Sequence, residues 1–196
     1  MRAKVFNSLA KELFGEVLIP LGFTTQGSKR CTFYRKVGNE VFHFITPDMG
    51  LRGAWYDVLV FPHSPAIYPL FNQRFPNGMG VPTDSFSYLT ENGISSQAMF
   101  NCKNEENMRR RFMNTVGPAL LKVAIPYLDR FQSVSDIIPV IRHPSFLGFA
   151  LNYVGRFEEA VVALKGERHR LMELGSSNKD VAVLLEEVER LLANNT

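Results

Sequence analysis

The sequence predicts an α+β fold: an antiparallel sheet of about five strands packed with an N-terminal helix and a long helix, followed by a C-terminal helical subdomain. Three observations carry this. Apolar residues recur at helical spacing through the first eighteen positions, the period changes to two between residues 30 and 61, and helical spacing returns after residue 104. At 196 residues one hydrophobic core suffices. A core over residues 1–131 and a helical subdomain over 132–196 packed on it are therefore expected to fold as one unit. The 16 Phe residues point to an aromatic-rich interior.

The first helix places Phe6, Leu9, Leu13 and Val17 along one stripe, with Ala10, Phe14 and Leu18 beside them, and Pro20 and Gly22 end it. Two β-rich runs, 30–37 and 40–46, flank Gly38-Asn39, a dipeptide suited to the positive φ of a hairpin turn. Residues 53–61 form a third, more apolar strand, read as central. Weaker strand patterns fall at 85–90 and 97–102. The links between strands are too short for helical crossovers, so the sheet is antiparallel.

Between the third and fourth strands, residues 62–84 hold five of the 11 prolines, Pro62, Pro65, Pro69, Pro76 and Pro82. Loops of this length are often functional. Tyr68, Phe71 and Phe75 argue that it packs, with a short helical turn around Ile67 to Arg74. From 104 to 131, Met108, Phe112, Val116, Leu120 and Val123 define a long helix that Pro118 and Pro126 should kink or split. Helices over 134–142, 145–154, 157–174 and 179–193 complete the chain.

The net charge of +3 hides an asymmetry. Residues 1–155 carry 16 Lys/Arg against 11 Asp/Glu, and residues 156–196 carry 6 against 8. A nucleic-acid binder shows a denser basic stripe, so that class is disfavoured. Two cysteines far apart argue against a disulfide scaffold. The opening segment mixes charges into its apolar pattern and no later run reaches 18 apolar residues, so neither a signal peptide nor a membrane span is expected. The cytoplasm is the expected compartment.

Residues 147–164 resemble one tetratricopeptide-type helical hairpin. Leu147-Gly148, Gly155, Phe157, Ala160 and Leu164 fall at that motif's packing positions, with small residues allowing close approach and Phe157 and Leu164 filling the seam. The segment reads as a hairpin closing the domain, or as a peptide-binding groove. Over roughly the first 130 residues, the Pro20-Leu-Gly-Phe23 helix end, Phe33-Tyr-Arg35, Val41-Phe-His-Phe44 and Val58-Leu-Val-Phe61 resemble the bacterial family called domain of unknown function 4304. That resemblance brings no established activity or catalytic residue. It implies an α+β bacterial protein, with immunity and adaptor proteins as analogues.

The chemistry-bearing residues are few. His43 shares a strand face with Val41 and Ile45 and reads as a sheet histidine rather than a general base. His63 opens the proline-rich loop at a strand end. His143 precedes Pro144, and His169 lies in the charged run Glu167-Arg168-His169-Arg170; both read as solvated. Asp57, on the strand face of Trp55, Leu59 and Phe61, needs a partner or a function, and Arg35 is the nominated partner. Arg109-Arg110-Arg111 follows Glu105-Glu106, so pairs such as Glu105 with Arg109 and Glu106 with Arg110 would neutralise much of it. The run reads as a solvated face, or else as a partner or phosphate contact that Lys29-Arg30 and Arg35-Lys36 would extend. No metal-ligand spacing, nucleophile motif or phosphate loop is present, so no catalytic residue, metal or cofactor is assigned.

Three functional readings follow. The leading one is a non-enzymatic bacterial protein-interaction module whose partner is another protein. A small-ligand binder or enzyme with a pocket under loop 62–84 would use His63, Asp57 and Arg74. A weak nucleic-acid binder would use Arg109, Arg110 and Arg111.

Overall fold

The computed structural model describes residues 1–26, 31–50, 53–67, 87–95, 99–174 and 179–195. It divides into two units: Met1–Pro62 with Phe86–Gln132, and His63–Ser85 with Ser133–Thr196. The expected helical turn around Ile67 to Arg74, Arg74 itself and Lys29-Arg30 lie largely or wholly outside the described residues.

The first unit is α+β with an antiparallel sheet. Helix α1 (Ala3–Leu18) buries Phe6, Leu9, Ala10, Leu13, Phe14 and Leu18, the stripe its spacing dictates. Its exit is a tight turn over Ile19–Leu21, where Gly22 takes φ 82° and donates its N–H to the Ile19 carbonyl. Strands β1 (Thr24–Gln26), β2 (Thr32–Val37), β3 (Val41–Met49) and β4 (Trp55–His63) then lie side by side in chain order. Val37 pairs with Val41, so the hairpin loop is Gly38 to Glu40, opened by the positive φ of Gly38.

Among the described residues the sheet has seven strands where about five are expected, because the short strands at 24–26 and 94–95 add to those read from the sequence. Strands β5 (Ser87–Leu89) and β7 (Phe100–Asn101) both pair antiparallel with β4, at Leu59–Val60 and at Trp55–Tyr56. Strand β6 (Ile94–Ser95) pairs only with β5. The chain thus leaves β4, makes a short hairpin, and returns to it.

A helical stretch, α2, runs from 105 to 128 without being split at either proline. Two wide turns, Phe112–Val116 and Leu120–Ala124, precede Pro118 and Pro126. In each, the residue before the proline donates its N–H five residues back: Gly117 to Phe112 and Ile125 to Leu120. The wider turn relieves the clash a proline ring makes with the carbonyl four residues earlier, so the helix continues. Met108, Phe112, Val116, Leu120, Ala124 and Leu128 face the core. There they meet α1 and the inner sheet face of Phe33, Ile45, Tyr56, Val58 and Val60. Phe14 is central, 4.9 Å from the ring of Phe112 and 6.2 Å from that of Phe33. Each such buried side chain contributes about 1.5–3 kcal/mol.

The second unit is helical where described from residue 133 onward. Ser133 and Asp136 form a capping box that starts α3 (Val134–Ile137), which gives way at Pro139 to a 3-10 turn over Ile138–Val140 rather than running to 142. Helices α4 (Pro144–Tyr153), α5 (Phe157–Leu174) and α6 (Lys179–Asn194) follow. Gly155, at φ 80°, turns α4 into α5. Gly148 is the close-approach point between those two helices: a Cβ there would lie 2.4 Å from Leu164 Cδ2. Ala160 and Leu164 are buried as expected, but Phe157 is 52% exposed and does not fill the seam. The Leu164 side chain is the one that lies against Gly148.

Candidate functional site

Two of the residues nominated for a pocket are described. Asp57 and His63 both belong to β4. Six strand positions separate them, about 20 Å of extended chain. His63 is buried, and loss of solvation pushes its pKa down to about 4, so its imidazole is neutral at physiological pH.

Asp57 lies on the outer sheet face, and Arg35 is not its partner. Tyr56, Val58 and Val60 of β4 face the core, so Asp57 between them faces outward. Arg35 is paired in register with His43, which shares the inward face with Ile45. The sheet itself separates the two side chains. Arg35 forms its ion pair with Asp129, just after α2.

Exposed apolar side chains lie at the Trp55 end of the sheet. Trp55 opposes Asn101 and Tyr56 opposes Phe100, while Cys102 N–H donates to the Ala54 carbonyl at 2.9 Å. Trp55 is 45% exposed and lies two positions along the strand, on the same face as the half-buried carboxylate. Met99, which directly precedes β7 in the chain, is 69% exposed. Burial, and then the charge of nearby Asp48, raise the Asp57 pKa. An incoming cation or N–H donor would relieve that strain on the charged form. Trp and Met are residue types enriched where proteins bind one another.

Farther along the same face the apolar surface is closed. Phe44 stacks on Phe61 with ring centres 5.2 Å apart and on Tyr34 at 5.9 Å, and Phe44 and Phe61 are both buried.

The other polar groups are engaged within the fold. His43 is fully buried, its Nε2 2.8 Å from the Phe131 carbonyl and its Nδ1 facing Arg35. Arg35 also reaches the Leu21 carbonyl at 3.4 Å and stacks 4.8 Å over Phe23. Arg109 does not pair back to Glu105. It makes a two-pronged contact with Glu12 of α1, at 2.6 and 2.9 Å, because α1 packs alongside α2 and offers better geometry than the same helix. Arg111 bonds Glu91 at 2.7 Å, and Arg110 stays exposed. The triple-arginine run is thus spread over two ion pairs and one solvated side chain.

The run Glu167 to Arg170 is not one solvated face. His169 is exposed, but Glu167 is 2% exposed. Glu167 accepts from Ser145 Oγ at 2.7 Å and from Arg170 Nε and Nη2 at 2.7 and 2.6 Å. Burial alone would raise its pKa, but the hydrogen bonds from Arg170 and Ser145 prevail and hold it below the usual value. The signal was present in sequence: 160, 164, 167 and 171 are one helical stripe, so Glu167 occupies a core position. His143 likewise is half-buried, its ring 4.6 Å from Phe146, rather than solvated.

Among the described residues, no group of three or more His, Cys, Asp or Glu is placed to hold a metal ion, and no helix is long and apolar enough to cross a membrane. Comparison with protein-family models, curated proteins and solved structures finds no match to this chain.

Proposed function

We propose that this protein is a non-enzymatic interaction module of the bacterial cytoplasm, of immunity or adaptor type, that binds another protein through the Trp55 end of its sheet. The observation that supports the reading is the exposure of Trp55, on the strand face of Asp57, and of Met99, next to β7 in the chain. A large aromatic ring held half in solvent on a rigid strand is an anchor that loses little entropy on binding. Asp57 adds direction, since a Lys or Arg of the partner would restore its charged form. The engagement of His43, Arg109, Arg111 and Glu167 inside the fold fits the same reading, because those side chains have structural work to do.

The test is cross-linking in the native host, followed by measured binding of the recovered protein to purified chain. A stoichiometric complex whose cross-links fall around Trp55 and Met99 is expected. Absence of any stoichiometric partner, or cross-links confined to other surfaces, contradicts the proposal.

A further inference from the structure

We propose that Arg35, His43, Asp129 and the Phe131 carbonyl form an acid-sensitive latch that holds the end of α2, and the chain leading to Ser133, on the sheet. The argument begins with which atoms carry protons. A guanidinium only donates hydrogen bonds. Arg35 approaches His43 Nδ1 with Nε at 3.3 Å and Nη2 at 3.2 Å, so Nδ1 presents its lone pair. The ring proton is therefore on Nε2, which donates to the Phe131 carbonyl at 2.8 Å. The latch is closed only by neutral imidazole in this one tautomer.

Adding a proton at Nδ1 turns an acceptor into a donor aimed at another donor. It also sets two positive charges about 3 Å apart, one of them on a fully buried ring. The charged groups facing His43 are Arg35 on β2 and Asp129 beyond α2. Asp129 favours the protonated ring, but its carboxylate is already held by Arg35. Burial first, and Arg35 next among the opposing influences, keep the His43 pKa below its ordinary value of 6.5. Relief requires Arg35 or His43 to withdraw, and either movement loosens residues 129–131 from the sheet. Gln132 is drawn in as well, through its bond to the Asp129 carbonyl at 2.7 Å.

The sign follows from linkage. The open state binds the proton near pH 6.5 and the closed state binds it lower, so opening increases as pH falls below 6.5, by up to about tenfold per pH unit until the closed-state pKa is reached. Hydrogen exchange on the full chain, corrected for intrinsic rates, measures this directly. Protection of residues 129–132 should fall between pH 7.5 and 5.5, by at most about tenfold, while β4 keeps its protection. In His43→Gln the same segment should show no pH response over that range.

Ring-nitrogen NMR of the unmodified protein decides the matter even if that variant does not fold. It should report the Nε2–H form at neutral pH and a titration that coincides with the loss of protection. An Nδ1–H form, flat protection at 129–132, or equal loss across β4 overturns the latch.

Discussion

The buried carboxylate of Glu167 allows the sharpest energetic test of the helical unit. Replacing Ser145 with Ala removes one charge-assisted bond of 2.7 Å and leaves Glu167 with Arg170. Hydrogen bonds to charged groups are worth about 1.5–3 kcal/mol net, so a loss of about 1.5–2 kcal/mol is expected. Glu167→Gln removes the charge as well. Its partner Arg170 is 47% exposed and returns to water at small cost, which holds the expected loss to about 2–3 kcal/mol, below the 3–5 of a fully buried pair.

Gln at that position keeps an amide oxygen for Ser145 Oγ, so the double variant should lose a further ~0.5–1 kcal/mol, the worth of a neutral bond, giving a coupling of about 1 kcal/mol. Urea unfolding followed by far-ultraviolet circular dichroism measures all four species. Glu159→Gln, which breaks an exposed pair with Arg156, should leave stability unchanged. Additive single and double variants, or a Ser145→Ala loss under about 0.5 kcal/mol, would refute the reasoning. The pH dependence follows from the lowered Glu167 pKa. Its contribution is complete above the ordinary value of 4.5 and disappears as pH falls through the folded value.

Three further outcomes are expected. Tyr56→Phe should stabilise the protein by about 1 kcal/mol, since Tyr56 Oη is fully buried and bonds no described residue; a loss of that size in thermal unfolding contradicts it. Gly148→Val should cost about 2 kcal/mol or more in urea unfolding, because the new Cβ meets Leu164 at 2.4 Å, and adding Leu164→Ala should return part of it. If Gly148→Val alone costs nothing, α4 and α5 are not in close contact. Arg109→Ala should shift the NMR signals of α1 near Glu12, and unchanged Glu12 signals would contradict that ion pair.

Much of the architecture was readable because it depends on local periodicity. The α1 stripe, the Gly38 hairpin, β4 and the four C-terminal helices all follow from spacing and turn chemistry. Strands of two or three residues, such as β1 and β6, are too short to show a period. The continuity of α2 was hidden because proline alone says break, whereas the wide turns that accommodate it emerge only in the helix.

The candidate site was legible in part. Asp57 and Trp55 were placed on one face by alternation, but the pairing of Trp55 with Asn101 joins residues 46 apart in sequence. The true partners of Arg35 and Arg109 lie 94 and 97 residues off, beyond any local pattern. Glu167 was named only within the charged run around His169, whereas its position in the stripe is what buries it.

The central claim is that Trp55 anchors a partner protein. Affinity of the recovered partner for Trp55→Ala, set against Met113→Ala on the exposed side of α2, tests it most directly. An anchor of this kind is worth at least about 2 kcal/mol, so Trp55→Ala should weaken binding by about 30-fold or more while Met113→Ala stays within about twofold. Equal, unchanged affinity for both variants would contradict the account.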